Sequence, residues 1–132
     1  MRYYEYGYSK IHPLTPKDNE DWDYLLQHHK SKSGRHFDVR LRRPGEDTAH
    51  SWSIKKLPTA TKPSRAFRTK DHPSIYAWAP EHTPTKGIKV LQRGKARMHS
   101  IDKTTGLTFE HNKQKYRLRP HAGKQYYLEV IQ

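Results

Sequence analysis

The 132 residues carry 26 Lys and Arg against 13 Asp and Glu, a formal net charge of +13, with 10 His and no Cys. The length suits one domain over residues 1–132, and the lack of cysteine excludes disulfides, thiolate metal sites and a cysteine nucleophile. Apolar runs of only a few residues exclude a membrane-spanning helix, and MRYYEYGYSK lacks the apolar stretch of a secretory signal, so a cytoplasmic location is expected.

The apolar pattern is mostly of period two. Residues 16–24 form the one helical candidate, with Thr15 as cap and Asp18, Glu20 and Asp21 in the first turns. Residues 24–27 read as a short strand, and the polar run 30–35, with Gly34, as a turn. Phe37, Val39 and Leu41 then alternate with His36, Asp38, Arg40 and Arg42, the pattern of a half-buried strand. A turn over 44–48 leads to a strand over 51–54 and a loop over 59–63. Residues 75–78 read as a strand or short helix, followed by a proline-containing loop. Further strands are expected over 88–91, 97–101, 107–110, 115–118 and 126–131, with Gly94, Gly106, Asn112 and Gly123 at the breaks. The sum is an all-β, single-domain protein, a small β-barrel of about eight strands with one or two short flanking helices; a sandwich would satisfy the same pattern.

The charge is concentrated. Residues 86–124 hold 11 basic and 2 acidic residues, net +9, whereas residues 1–85 hold 15 and 10, net +5. Such a surplus draws polyanions through counterion release. Nine Tyr, three Trp and three Phe add surfaces on which bases stack. A nucleic-acid partner is therefore expected. The 86–124 stretch is either the face that holds it or a solvated barrel face.

The stretch with most chemistry is QHHKSKSGRHFDVRL, residues 27–41. Strand parity puts His36, Asp38 and Arg40 on one face, and a hairpin could fold His28 or His29 back beside His36. Two imidazoles and a carboxylate suit Mn²⁺, Zn²⁺ or Fe²⁺ with coordination positions left open. Arg40 would lie ready to hold a phosphate beside them. The plainer alternative is an ordinary polar face on which Asp38 pairs with Arg40.

GRHFDVRL, then SWSIKK, then KDHPSIYAW resembles, in order, the 3′-phosphoesterase domain of bacterial DNA ligase D and its stand-alone relatives. That family shows a His, then His-aromatic-Asp-x-Arg-Leu, then Ser-Trp-Ala-x-Pro-Lys, then Asp-His-Pro-x-x-Tyr. The match runs from about Tyr24 to Trp78 and continues more weakly to Leu128. The resemblance implies a small β-barrel that binds Mn²⁺ and cleaves phosphate esters at DNA or RNA 3′ ends, healing them before ligation; Zn²⁺ or another divalent transition metal fits the donors equally. It implies His29, His36 and Asp38 as metal ligands. Arg40, Lys56 and Arg65 would bind the substrate phosphate, His72 would contact the scissile group, and Tyr76 would hydrogen-bond nearby. A ligase or polymerase partner would be a separate chain.

The sequence departs from the family pattern in four places. The spacing from His29 to His36 is one residue longer than usual, and His28 would make it two. Lys55 stands where the family has proline, so Lys55 or Lys56 could face the site. Arg65 lies one residue closer to His72 than expected, which leaves Lys62 and Arg68 as competitors. The family's Gly-rich stretch is shortened to KGIKVLQRG. His12, His50, His82, His99, His111 and His121 are read as surface or nucleic-acid-facing. Two other functions compete: a non-catalytic nucleic-acid-binding barrel, and a metal-independent ribonuclease using His36, His72 and Arg40.

Overall fold

The computed structural model describes residues 19–32, 34–46, 48–73 and 87–132, and the backbone alone at Ser31 and at 71–73. Tyr76, with the whole 75–78 segment, His12 and His82 lie outside the described residues. Eight antiparallel strands close into a barrel. They are β1 (Glu20–Ser31), β2 (Gly34–Arg42), β3 (Thr48–Ile54), β4 (Ser64–Pro73), β5 (Ile88–Asp102), β6 (Gly106–His111), β7 (Gln114–Ala122) and β8 (Gln125–Ile131). Around the barrel the order is β1-β2-β3-β4-β8-β7-β6-β5. No described residue is helical.

Alternation fills the interior. Trp22, Tyr24 and Leu26 from β1 meet Val39 and Leu41 from β2, Trp52 and Ile54 from β3, and Met98, Leu107, Phe109, Leu118 and Leu128 from the remaining strands. An eight-stranded barrel is just wide enough for side chains to fill it, and the fully buried Trp22 and Trp52 supply much of that volume. The same alternation explains why the helix expected over 16–24 is not seen where it overlaps the described chain. Glu20–Tyr24 belong to β1, whose aromatics at 22 and 24 fill the core. Its acids pair across strands instead of facing a helix terminus: Asp21 with Arg97 at 3.3 Å, and Asp23 with Lys95 at 2.6 Å and with Arg42.

Two further expectations are corrected. Gly94 does not end a strand, because β5 runs through it for 15 residues. It lies opposite Tyr24, and a Cβ there would come within 3.4 Å of the His111 ring, which packs on Tyr24 at 4.4 Å between centroids. That is ordinary van der Waals contact; what favours glycine here is its φ of 151°, which residues with a side chain rarely adopt. The β4 strand has no clear sequence signature, because its inward residues include Ala66 and Arg68 while its one large apolar side chain, Phe67, is 49% exposed.

Candidate functional site

The β1–β2 hairpin sets the site. Ser31 pairs with Gly34, leaving a two-residue connection, and that register places His29 directly opposite His36 and Gln27 opposite Asp38. Because parity alternates, His28 goes to the other side. It lies opposite Phe37, whose ring packs against the core, at 5.0 Å between centroids. The register therefore separates the two histidines that the sequence left open: His29 shares a face with His36, and His28 does not.

His29, His36 and Asp38 each present a donor atom, all within 4.8 Å of one another. The His29 and His36 rings meet edge-on at 4.9 Å, and His36 Nε2 lies 3.3 Å from Asp38 Oδ1. Gln27 Nε2 donates to the other Asp38 oxygen at 3.4 Å. The described partners of Asp38 are thus Gln27 and His36, not the Arg40 of the plainer sequence reading. Gln27 was missed by sequence reasoning, and only its register beside Asp38 singles it out. Asp38 is 9% exposed, Gln27 5%, and the neighbouring outward Leu25 and Ser51 1% each. The floor of the site is shielded from bulk water, where charges interact more strongly than at an open surface.

Two imidazoles and a carboxylate fit a borderline divalent metal as donors. Metal–ligand bonds near 2.1 Å allow ligands at most about 4.2 Å apart. Donor atoms up to 4.8 Å apart come within that reach by a small rotation of a half-buried imidazole. Closure also requires Asp38 to exchange its contact with His36 Nε2 for the ion.

The cations expected near phosphate fall into three groups. Arg40 lies on the same outward face as Asp38, between Leu25 of β1 and Ser51 of β3. Lys56 and Arg65 line an open groove of about 500 Å³ together with Lys55, Lys62, Ser53 and Phe67. Ser53 is the cross-strand partner of Asp38, so the groove adjoins the triad. Both lysines in question, 55 and 56, reach the groove, as do both Lys62 and Arg65. Arg68 does not: its guanidinium lies over the Trp52 ring at 5.6 Å and its Nη2 is 3.0 Å from His50 Nδ1, on the inward side. The backbone of His72 is opposite Ala49, two residues from the Ser51 that partners Arg40.

His50 is buried at 2% exposure, which corrects its reading as a surface residue. It packs beside Trp22 and lies 3.4 Å from Glu46. His111 is spent on Tyr24 and the Lys95 carbonyl, and His99 lies 3.3 Å from Glu110. In the basic 86–124 stretch, Lys95, Arg97 and Arg119 are committed to Asp23, Asp21 and Glu129. The Glu129 contact holds Arg119 more firmly protonated than an ordinary arginine.

A scan against protein-family models finds no match, and a search of curated proteins finds no relative.

Proposed function

We propose that this chain is a divalent-metal-dependent phosphoesterase acting at the 3′ ends of DNA or RNA. The observation that carries the reading is the juxtaposition of a two-histidine, one-carboxylate cluster with a cationic groove. His29, His36 and Asp38 lie within 4.8 Å of one another, and Lys55, Lys56, Lys62 and Arg65 line the hollow beside them. The ordered resemblance of the motifs around residues 24–78 to the ligase D phosphoesterase domain supports the same chemistry.

In this reading His29, His36 and Asp38 hold Mn²⁺ or a similar ion. Such an ion, when bound, polarises a phosphoryl oxygen and makes a coordinated water more acidic. Gln27 fixes the Asp38 carboxylate by donating to its second oxygen. Arg40 holds two phosphate oxygens in its planar fork, and Lys56 and Arg65 neutralise charge on the same group. The resemblance puts His72 at the scissile phosphate, where an imidazole donates a proton to the leaving oxygen or stabilises charge as imidazolium, and Tyr76 at a supporting hydrogen bond. Protons compete with metal for imidazole nitrogens, so loading weakens as pH falls.

The test is release of inorganic phosphate from a DNA oligonucleotide bearing a 3′-phosphate. Turnover is expected with Mn²⁺, is abolished by chelator and returns when metal is restored. Turnover that survives chelation would move the reading to metal-independent histidine chemistry. Tight binding without turnover in Mn²⁺ would leave a nucleic-acid-binding barrel.

A further inference from the structure

Five cations of the barrel are held by acids on β1 and β8. Arg42 and Lys95 grip Asp23, Arg43 grips Glu20, Arg97 faces Asp21 and Arg119 grips Glu129. The groove beside β4 instead gathers four cations around one hollow. Lys55, Lys56, Lys62 and Arg65 line it with no acidic residue among its walls, and among the described residues none of the four meets a carboxylate. Like charges gathered without a counterion are costly and call for an anion.

The same groove holds Phe67, 49% exposed on the outward face of β4. A single exposed apolar residue means little. This one, however, stands between two hollows. On its far side a second hollow of about 200 Å³ is lined by Phe67 and Arg65 again, now with His121, Gln125 and Tyr127. Arg65 and Tyr127 are direct cross-strand partners, as are Phe67 and Gln125. Among the described residues nothing stacks on the Phe67 ring, whereas Tyr127 is already covered by the Arg119 guanidinium at 4.9 Å and by His121.

We infer that the outer face of β4 is a docking site for single-stranded nucleic acid, with Phe67 as the platform for one base and Lys55, Lys56, Lys62 and Arg65 as the contacts to its phosphates. The repeating anion answers the cations, and the flat ring answers a base, which every nucleotide supplies whatever its sequence. An acidic peptide would satisfy the cations and leave the exposed ring without a role. The register also gives a direction, which rests on the phosphoesterase reading. Asp38 pairs with Ser53, and Ser53 with Phe67, so the platform lies two strand spacings, about 10 Å, from the triad. A strand whose terminal phosphate reaches the triad lays a base within a nucleotide or two of that end over Phe67.

The experiment measures binding alone, in chelator, by fluorescence anisotropy of a short labelled single-stranded oligonucleotide and of an abasic oligonucleotide of equal charge. Phe67→Ala and Phe67→Leu are expected to weaken binding of the base-bearing strand about tenfold and leave the abasic strand unchanged, with Phe67→Trp restoring the parent affinity. Lys62→Ala is expected to weaken both strands. Equal affinity of the parent and the Phe67→Leu variant for the base-bearing strand would overturn the proposal. So would polyglutamate competing as well as an oligonucleotide of equal charge, which would give the face to an acidic peptide. Since no turnover is read, failure of the phosphoesterase reading would show itself separately, as absent phosphate release by a protein that still binds through Phe67.

Discussion

Asp23 shows what a single carboxylate does in a chain this basic. It sits on β1 between Arg42 of β2 and Lys95 of β5, its cross-strand partners on either side. Burial works against its ionisation, but hydrogen bonds from Lys95 and Arg42, with their charges, outweigh that and hold its carboxyl below the ordinary 3.8. The folded protein therefore binds this proton less readily than the unfolded chain. The stabilisation is complete above about pH 4 and is lost as pH falls through the lowered value. Asp23→Asn is expected to lower the unfolding free energy by about 1–3 kcal/mol at pH 7, where two cations lose a buried acceptor. Urea unfolding of the two proteins should show the gap narrowing below about pH 4; a gap independent of pH would refute the account. Residue chemistry of this kind is partly legible in sequence. The composition shows that carboxylates are scarce, and the HFDVR stretch shows that His36 and Asp38 share a face. It does not show that Asp23 serves two strands, because its neighbours lie 19 and 72 positions away.

At the scale of elements, register decides what parity leaves open. Period-two alternation marked β2 and its inward set Phe37, Val39 and Leu41. The choice between His28 and His29 depended on the hairpin, since a slip of one residue exchanges the faces of a strand. With His29 opposite His36 and His28 opposite Phe37, His29→Ala is expected to lose at least a hundredfold in Mn²⁺-dependent phosphate release. His28→Ala should stay within about threefold of the parent, because it removes no donor. The opposite ranking would mean the hairpin pairs in another register. The elements that escaped sequence reading did so for physical reasons. β4 turns its phenylalanine outward and an alanine inward, so hydrophobicity misreports its faces. β5 keeps a glycine inside the strand, where the backbone takes a φ of 151°. The acids at the start of β1 look like a helix's first turn and are cross-strand partners instead.

At the scale of the whole molecule, the +13 charge is organised by the barrel and not merely spread over it. The stretch richest in cations, 86–124, commits several of them to Asp21, Asp23 and Glu129, while the groove cations come from residues 55–65. Charge density along the chain points to 86–124, whereas the groove proposed for a polyanion draws its cations from 55–65. Four groove contacts to a single strand predict a log–log salt slope near −3, or roughly a 50-fold loss of affinity between 50 and 200 mM salt. Anisotropy titrations at several salt concentrations measure it, and a slope near zero would contradict a phosphate-holding groove. The count and spacing of strands left a barrel or a sandwich open, and the resemblance pointed to the barrel; closure came only with the β1–β5 pairing that joins the two ends of the sheet.

The measurement that bears most directly on the central claim is phosphate release from a 3′-phosphate oligonucleotide in Mn²⁺, with the parent and the Asp38→Asn variant side by side. Asparagine keeps the shape at position 38 and the neighbours Gln27 and His36, but removes the charged donor. The account predicts that the variant folds, binds the oligonucleotide as the parent does and releases no phosphate above background. Equal turnover by the two proteins would contradict it, since the cluster of His29, His36 and Asp38 would then hold no ion that the reaction needs.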